Sequence, residues 1–251
     1  MLPSGSCLLI PFFPAHPSAS ALPSVPALPS VPALPSVPAP PSVPAHPSVP
    51  ALPERKVAPR HLVSKRYPEL QADVVVDRSL IDYYNLFPCC DVAVYQIPSV
   101  GATVRQSLYP ALQQALSGRS ETEAADMLLN FVQTAFPYAT DDEQFGYERP
   151  LFAEETLFYP ACDCEDRAVL YSLLVRELLG LTQDQFTQTV MIAQGDFLKI
   201  LTAVCFKGEA PGDYVVVRGK RYTVCDPTYI GAGIGRTMPG MDNASVEVLM
   251  R

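Results

Sequence analysis

The stretch Asp163-Cys164-Glu165-Asp166-Arg167-Ala168, running on through Val169-Leu-Tyr-Ser-Leu-Leu-Val175 to Leu179 and Gly180, decides how the chain is read. Ala168, Tyr171, Leu174, Val175 and Leu178 recur at three- and four-residue spacing and Gly180 supplies a stop, so the spacing predicts a helix over 164–179 with one apolar face. A cysteine in the first turn of such a helix lies where unpaired N–H groups and the helix dipole favour an anion, which lowers a thiol's pKa and frees a thiolate nucleophile. Asp163, Glu165 and Asp166 oppose that locally, because neighbouring negative charge disfavours thiolate. On composition alone, a buried structural thiol is the plainer reading of Cys164.

Upstream, Ala124, Met127, Leu128, Phe131, Val132 and Ala135 set the same period over Glu121 to Phe136, with Ser120 as cap and Pro137 as terminator. Further upstream, Asp73 to Asp77, with three successive valines, and Asp91 to Ile97, between Pro88 and Pro98, read as short strands. Downstream, Ile200 to Phe206 reads as a buried strand, and Tyr214–Val217 with Tyr222–Cys225 as a hairpin turning at Arg218-Gly219-Lys220. Helices followed by strands favour an α+β architecture, with the Cys164 helix on an antiparallel sheet.

The first 60 residues differ in kind. Seventeen of the 27 prolines fall there, and from Ala21 to Pro50 the chain repeats the hexamer Ala-Leu-Pro-Ser-Val-Pro in five copies, two of them varied. A proline every two to three residues removes backbone donors and forces extended polyproline geometry, so residues 1–60 are expected to be a disordered, stiff spacer and 61–251 the folded domain. A proline-motif ligand is the alternative, but the repeats hold no basic residue to orient it. Cys7-Leu-Leu-Ile-Pro-Phe-Phe13 has the length of a signal-peptide apolar region yet lacks a positive start, and Pro11 interrupts it.

Charge narrows the function classes. Beyond residue 60 the chain holds 15 Lys+Arg against 25 Asp+Glu, net −10, and phosphate recognition needs a concentrated basic surface, so nucleic acid is not an expected partner. No apolar run approaches the roughly 20 residues that span a bilayer. Seven cysteines, two of them adjacent at Cys89 and Cys90, read mostly as buried thiols rather than a disulfide framework. Cys162-x-Cys164 has too short a spacer for a zinc knuckle, and no histidine follows His61, so neither metal nor cofactor is expected. Asp141, Asp142 and Glu143 with Glu154 and Glu155 lack EF-hand spacing and read as a solvated acidic face. Gly231, Gly233 and Gly235 follow Asp-Pro instead of opening a helix, and predict a mobile loop instead of a phosphate cradle.

Cys-x-Asp-x-Ala opening a helix, then antiparallel strands, then a strand ending in Asp-Pro resembles the transglutaminase-like superfamily. Phe131-Val-Gln-Thr-Ala-Phe136, Asp142-Glu-Gln-Phe-Gly-Tyr147, Asp163–Ala168, Leu178-Leu-Gly180, Thr202-Ala-Val204, Gly212-Asp-Tyr214 and Cys225-Asp-Pro-Thr-Tyr-Ile-Gly231 through Thr237-Met-Pro239 look like a bacterial branch of cysteine proteases and acyltransferases. The resemblance covers about residues 73–251 and implies a papain-related fold, a Cys-His-Asp triad acting on peptide or glutamine amides, a peptide or protein substrate and an extracytoplasmic setting. It implies Cys164 as nucleophile and Asp226 as the acid that orients the base; without it, Asp226-Pro227 is only a strand terminator.

The histidine does not carry over. His16, His46 and His61 all precede the matching region, and Lys199 stands where the family's base belongs, just before Thr202-Ala-Val204. A lysine of ordinary pKa is protonated at pH 7 and accepts no proton, although its ammonium is a fair counter-charge for a thiolate. Between Leu181 and Leu201 the similarity falls away over a run holding Gln183, Gln185, Gln188 and Gln194. Either this copy diverged and lost its base, or compensating frame shifts in the coding sequence replaced the family's residues. An active enzyme and a catalytically silent module that binds a peptide or protein both remain open, as does a purely structural role.

Overall fold

The computed structural model describes residues 12–13, 55–181, 188–194, 197–239 and 245–248. The chain divides into two compact units, Met1–Ala15 with Glu54–Arg251, and His16–Pro53. The second, with the hexamer repeat, lies outside the described residues, and all the described strands and helices belong to the first.

After β1 (Phe12–Phe13) comes a hairpin, β2 (Arg60–Val63) against β3 (Gln71–Val74), with Leu62, Ala72 and Val74 turned inward by the alternation of a half-buried strand. The expected strand at 73–77 thus lies two to three residues earlier. Asp77 caps α1 (Arg78–Tyr84) by accepting the Ser79 N–H. The expected strand at Asp91–Ile97 is instead one helical turn, α2 (Val92–Tyr95), because the Asp91 side chain accepts the Ala93 N–H and caps a helix start in place of a strand ladder. α3 (Ala102–Leu116), not anticipated, contains Pro110, which removes one rung of its hydrogen bonding, yet Val104, Leu108, Leu112 and Leu116 are buried and outweigh that loss.

α4 (Glu121–Ala135) follows the expected bounds within a residue. Ser120 and Glu123 exchange the two bonds of a capping box, a device worth about 1 kcal/mol. Short helices α5 (Asp141–Phe145), closed by Gly146 in the left-handed region at φ 78, and α6 (Ala153–Phe158) lead to α7 (Cys164–Leu178), the helix read from the sequence.

The rest is mostly sheet. β4 (Gln188–Gln194), β5 (Phe197–Val204), β6 (Tyr214–Val217), β7 (Lys220–Cys225) and β8 (Ser245–Val248) join β1 in the order β1-β6-β7-β5-β4-β8, every pair antiparallel. The glutamine-bearing run expected as a connection therefore contributes β4, whose Thr-Val-Met-Ile centre suits a strand. α7 packs on β5, and the Thr202 hydroxyl donates to the Ala168 carbonyl across the seam at 3.1 Å. α4 and α3 cover the other side of α7 and build the main core with Phe131, Leu128, Tyr171 and Leu174, while Leu201, Ala203, Val215, Tyr222 and Val224 form a second cluster. Alternation along β5 separates the two, with Thr202 and Val204 toward α7 and Leu201 and Ala203 in the second cluster. No helix among the described residues is long and apolar enough to cross a membrane.

Candidate functional site

Cys164 is the first residue of α7. The chain reaches it through a short parallel bridge between Tyr138 and Cys162, and the Asp163 N–H donates to Asp166 Oδ2 at 3.3 Å, fixing the turn that presents the sulfur. The thiol is half-buried and donates to Glu165 Oε2 at 3.1 Å. Burial, then the charge of Glu165, pushes its pKa well above the ordinary thiol value; the Ile200 backbone N–H, which faces the sulfur from β5, opposes them and loses. The dipole argument alone points to a thiolate, but desolvation and the adjacent carboxylate outweigh it, so at neutral pH Cys164 is a neutral thiol.

Next to Ile200 on β5, Lys199 is 5% exposed and directs its ammonium to Asp226 Oδ2 at 2.7 Å, with Met238 Sδ at 3.9 Å. Asp226 is fully buried and its other oxygen accepts the N–H groups of Thr228 and Tyr229, each at 3.0 Å. Pairing of Thr202 with Cys225 brings the end of β7 beside β5, which is how residues 27 apart meet. The loop after Asp226 is tied down, contrary to the mobile loop expected from its glycines. Gln133 Nε2 of α4 donates to the carbonyls of Asp226, Tyr229 and Ala232 at 2.9 to 3.0 Å, and Asp126 Oδ1 accepts the Ile234 N–H. The three residues singled out from the sequence, Cys164, Lys199 and Asp226, thus gather about the middle of β5. Cys164 meets the backbone of Ile200, while the Lys199 side chain engages Asp226.

On the other side of Cys164 is a group that the sequence did not disclose. Asp141 of α5, Asp163 and Glu165 are all buried and offer oxygens within 4.8 Å of one another. Burial, then Asp166 and Glu165, drives the Asp163 carboxyl up to about 10, and Asp141 and Glu148 are raised as well, each first by burial. Asp163 Oδ1 is buried with no hydrogen-bond partner, an orphaned acceptor in a cluster of like charge. Oxygen-only donors of this kind fit a hard divalent cation such as Ca²⁺. The separation of 22 positions from Asp141 to Asp163 hid the grouping, since only the fold closes that gap. The acidic face expected here divides differently. Glu154 and Glu155 are buried too, but as backbone anchors, accepting from Gly101 N–H at 2.6 Å and Phe152 N–H at 3.1 Å, and Glu155 also pairs with Arg149 at 2.7 Å.

A cation held there would displace protons from the raised carboxyls and offset the charge that keeps the thiol neutral. Added Ca²⁺ should therefore raise the melting temperature, by more at pH 8 than at pH 5.5, where protons compete for the same oxygens. Equal shifts at both pH values, or none, in differential scanning fluorimetry after EGTA treatment would exclude these residues as ligands. Tyr138, half exposed, stands over the site, its phenol pushed up to about 12 by burial and then by Cys164.

The described cysteines are all free. Cys162 and Cys225 are buried, Cys90, Cys164 and Cys205 are half-buried and Cys89 is exposed, fewer buried thiols than the sequence led us to expect.

No family model matches the chain, and no curated protein matches it. Among solved structures, Legionella pneumophila LapG in an EGTA-treated form aligns with 64% of this chain and 81% of its own, at 14% identity and a TM-score of 0.42. A second Legionella pneumophila LapG structure aligns with 64% of this chain and 83% of its own, at 14% identity and a TM-score of 0.41. The chain itself is a mixed helix and sheet fold with antiparallel sheets.

Proposed function

We propose that this is a cysteine-nucleophile domain of the transglutaminase-like, papain-related type, built for acyl transfer or amide hydrolysis on a peptide or protein, with its base position occupied by lysine. The observation that carries this reading is the meeting of the Cys164 thiol with the Ile200 amide on the strand where the adjacent Lys199 grips Asp226 at 2.7 Å. In that chemistry the Cys164 sulfur attacks an amide carbonyl, its proton goes to the departing amine, and water or a second amine takes the acyl group from the thioester. Asp226 would orient the base. Lys199 engages Asp226 rather than the Cys164 sulfur and offers no acceptor for the thiol proton, so the wild-type domain is expected to acylate slowly.

A specific observation also favours a second reading, a catalytically silent module that binds a peptide or protein: the lysine at the base position is sequestered in a buried ion pair. Incubation with fluorescein-labelled casein, comparing wild type with Cys164→Ala, distinguishes the two. Slow release that the alanine variant lacks supports the nucleophile; indistinguishable traces, with binding retained, support the silent module.

After burial, Glu165 contributes most to holding the thiol neutral under either reading. Glu165→Gln keeps an acceptor oxygen but removes the charge that, after burial, does most to raise the Cys164 pKa, and each unit of lowering exposes tenfold more thiolate. In metal-free buffer at pH 7.5, iodoacetamide should modify Cys164 in this variant about tenfold faster than in wild type. An unchanged or slower rate would mean that Glu165 does not hold the thiol neutral.

A further inference from the structure

One edge of the six-stranded sheet is formed by β1, two residues long, in register Phe12 to Val215 and Phe13 to Tyr214. It reaches only half of β6. Val216 and Val217 pair with Arg221 and Lys220 of β7 on their inner side, and no described strand pairs with them on the outer side. β6 reads Tyr-Val-Val-Val, β-branched and aromatic with neither charge nor proline, the composition of an edge that pairs readily with other chains. Covering such an edge is one of the ways proteins avoid that fate. Pro11 and Pro14 flank β1 in sequence, and a residue without a backbone N–H cannot continue the ladder, so β1 is fixed at two residues by its own neighbours.

We propose that Phe12–Phe13 is an intrachain cap on the β6 edge, and that with the cap removed this edge takes a second copy of the chain, β6 against β6 antiparallel with Val216 facing its own copy across the two-fold axis. A strand that pairs with itself across a two-fold axis must be compatible with its own reversed sequence, and a run of three valines is so in any register. Arg221 is turned onto the Tyr214 ring, 4.0 Å from its centroid. The cap belongs to the same chain as the edge that it covers, so its return does not depend on protein concentration as the arrival of a second copy does, and the intact chain is expected to be monomeric. A ladder of two residues nevertheless gives way to modest change.

The test is sedimentation velocity on the full chain from about 10 to 500 µM, with hydrogen exchange at Tyr214 and Val215, the β6 residues that the cap pairs with. Wild type should remain monomeric, with these amides protected. Phe12→Pro with Phe13→Pro removes the cap's donors, should speed exchange of those amides at the low end of the range, where the chain is monomeric, and should give a dimer at the high end that restores their protection, while Cys164 alkylation stays as in wild type. Adding Val216→Lys, which sets like charges across the two-fold axis, should return the uncapped variant to monomer. An uncapped variant that is monomeric throughout the range, a dimer that persists with Val216→Lys, or wild-type amides that exchange as fast as uncapped ones would each overturn the proposal.

Discussion

Lys199→His should raise turnover of labelled casein by about 10² to 10⁴ over wild type, the range a positioned general base contributes. The gain depends on what surrounds residue 199. Asp226 is fully buried, its Oδ1 is held by two backbone N–H groups, and its Oδ2 faces residue 199 at 2.7 Å. An imidazole there would donate one ring N–H to Oδ2 and keep its other nitrogen as an acceptor; because residue 199 alternates with Ile200, the gain requires the ring to reach past the β5 backbone to the Cys164 sulfur. Lysine offers three donors and no acceptor, so the same scaffold holds charge without moving a proton. Asp226→Asn in the histidine background should remove most of the gain by weakening the hold on the ring. A Lys199→His variant that folds, keeps Cys164 accessible to alkylation and shows no gain would mean that the residues about β5 are not a triad in waiting.

The second large effect is on stability. Asp226→Ala should cost about 3 to 5 kcal/mol, because it leaves the Lys199 ammonium buried with no counter-charge, and breaking a buried pair from one side costs far more than the pair contributes. For a domain of this size that is roughly 10 °C in melting temperature. Lys199→Met combined with Asp226→Asn should restore most of the loss, since no charge is left buried and the asparagine oxygen still accepts the Thr228 and Tyr229 N–H groups. Thermal melts of wild type, the single variant and the pair decide the matter. A single variant within about 2 °C of wild type, well short of that shift, would mean that water reaches the ammonium and that Lys199 is not sequestered.

Much of this was legible in the sequence where periodicity was strong. α4 and α7 announced themselves through apolar spacing, caps and stops, and the β6–β7 hairpin through its valines and the Arg218-Gly219 turn, where Arg218 takes a positive φ of 51°. α3 was missed because Pro110 interrupts the pattern, although a helix held by its buried apolar face tolerates one lost rung. Asp91 to Ile97 misled because apolar alternation in a short run does not separate strand from helix, and a capping carboxylate tipped the balance.

The site was legible in part, and the division has a physical cause. Cys164 and Asp226 were marked by motifs that the resemblance supplied, and Lys199 by its position. Their electrostatics were not legible, because the neutral thiol depends on burial and on the orientation of Glu165, and neither is a property of spacing. The cluster of Asp141 with Asp163 and Glu165 joins an isolated short helix to the start of α7. Only tertiary structure creates it.

The central claim is that Cys164 is a nucleophile held neutral by its surroundings and lacking a base. The most direct measurement is the pH dependence of Cys164 alkylation by iodoacetamide, followed by intact mass in metal-free buffer from about pH 6 to 10, a range that spans the ordinary thiol pKa, for wild type and Lys199→His. The expected result is a wild-type rate that climbs through the whole range without levelling, and a histidine variant that levels off near neutrality. A wild-type rate already flat and fast between about pH 6 and 8, as an activated thiolate would give, or a Cys164 that reacts only after the protein unfolds, would contradict it.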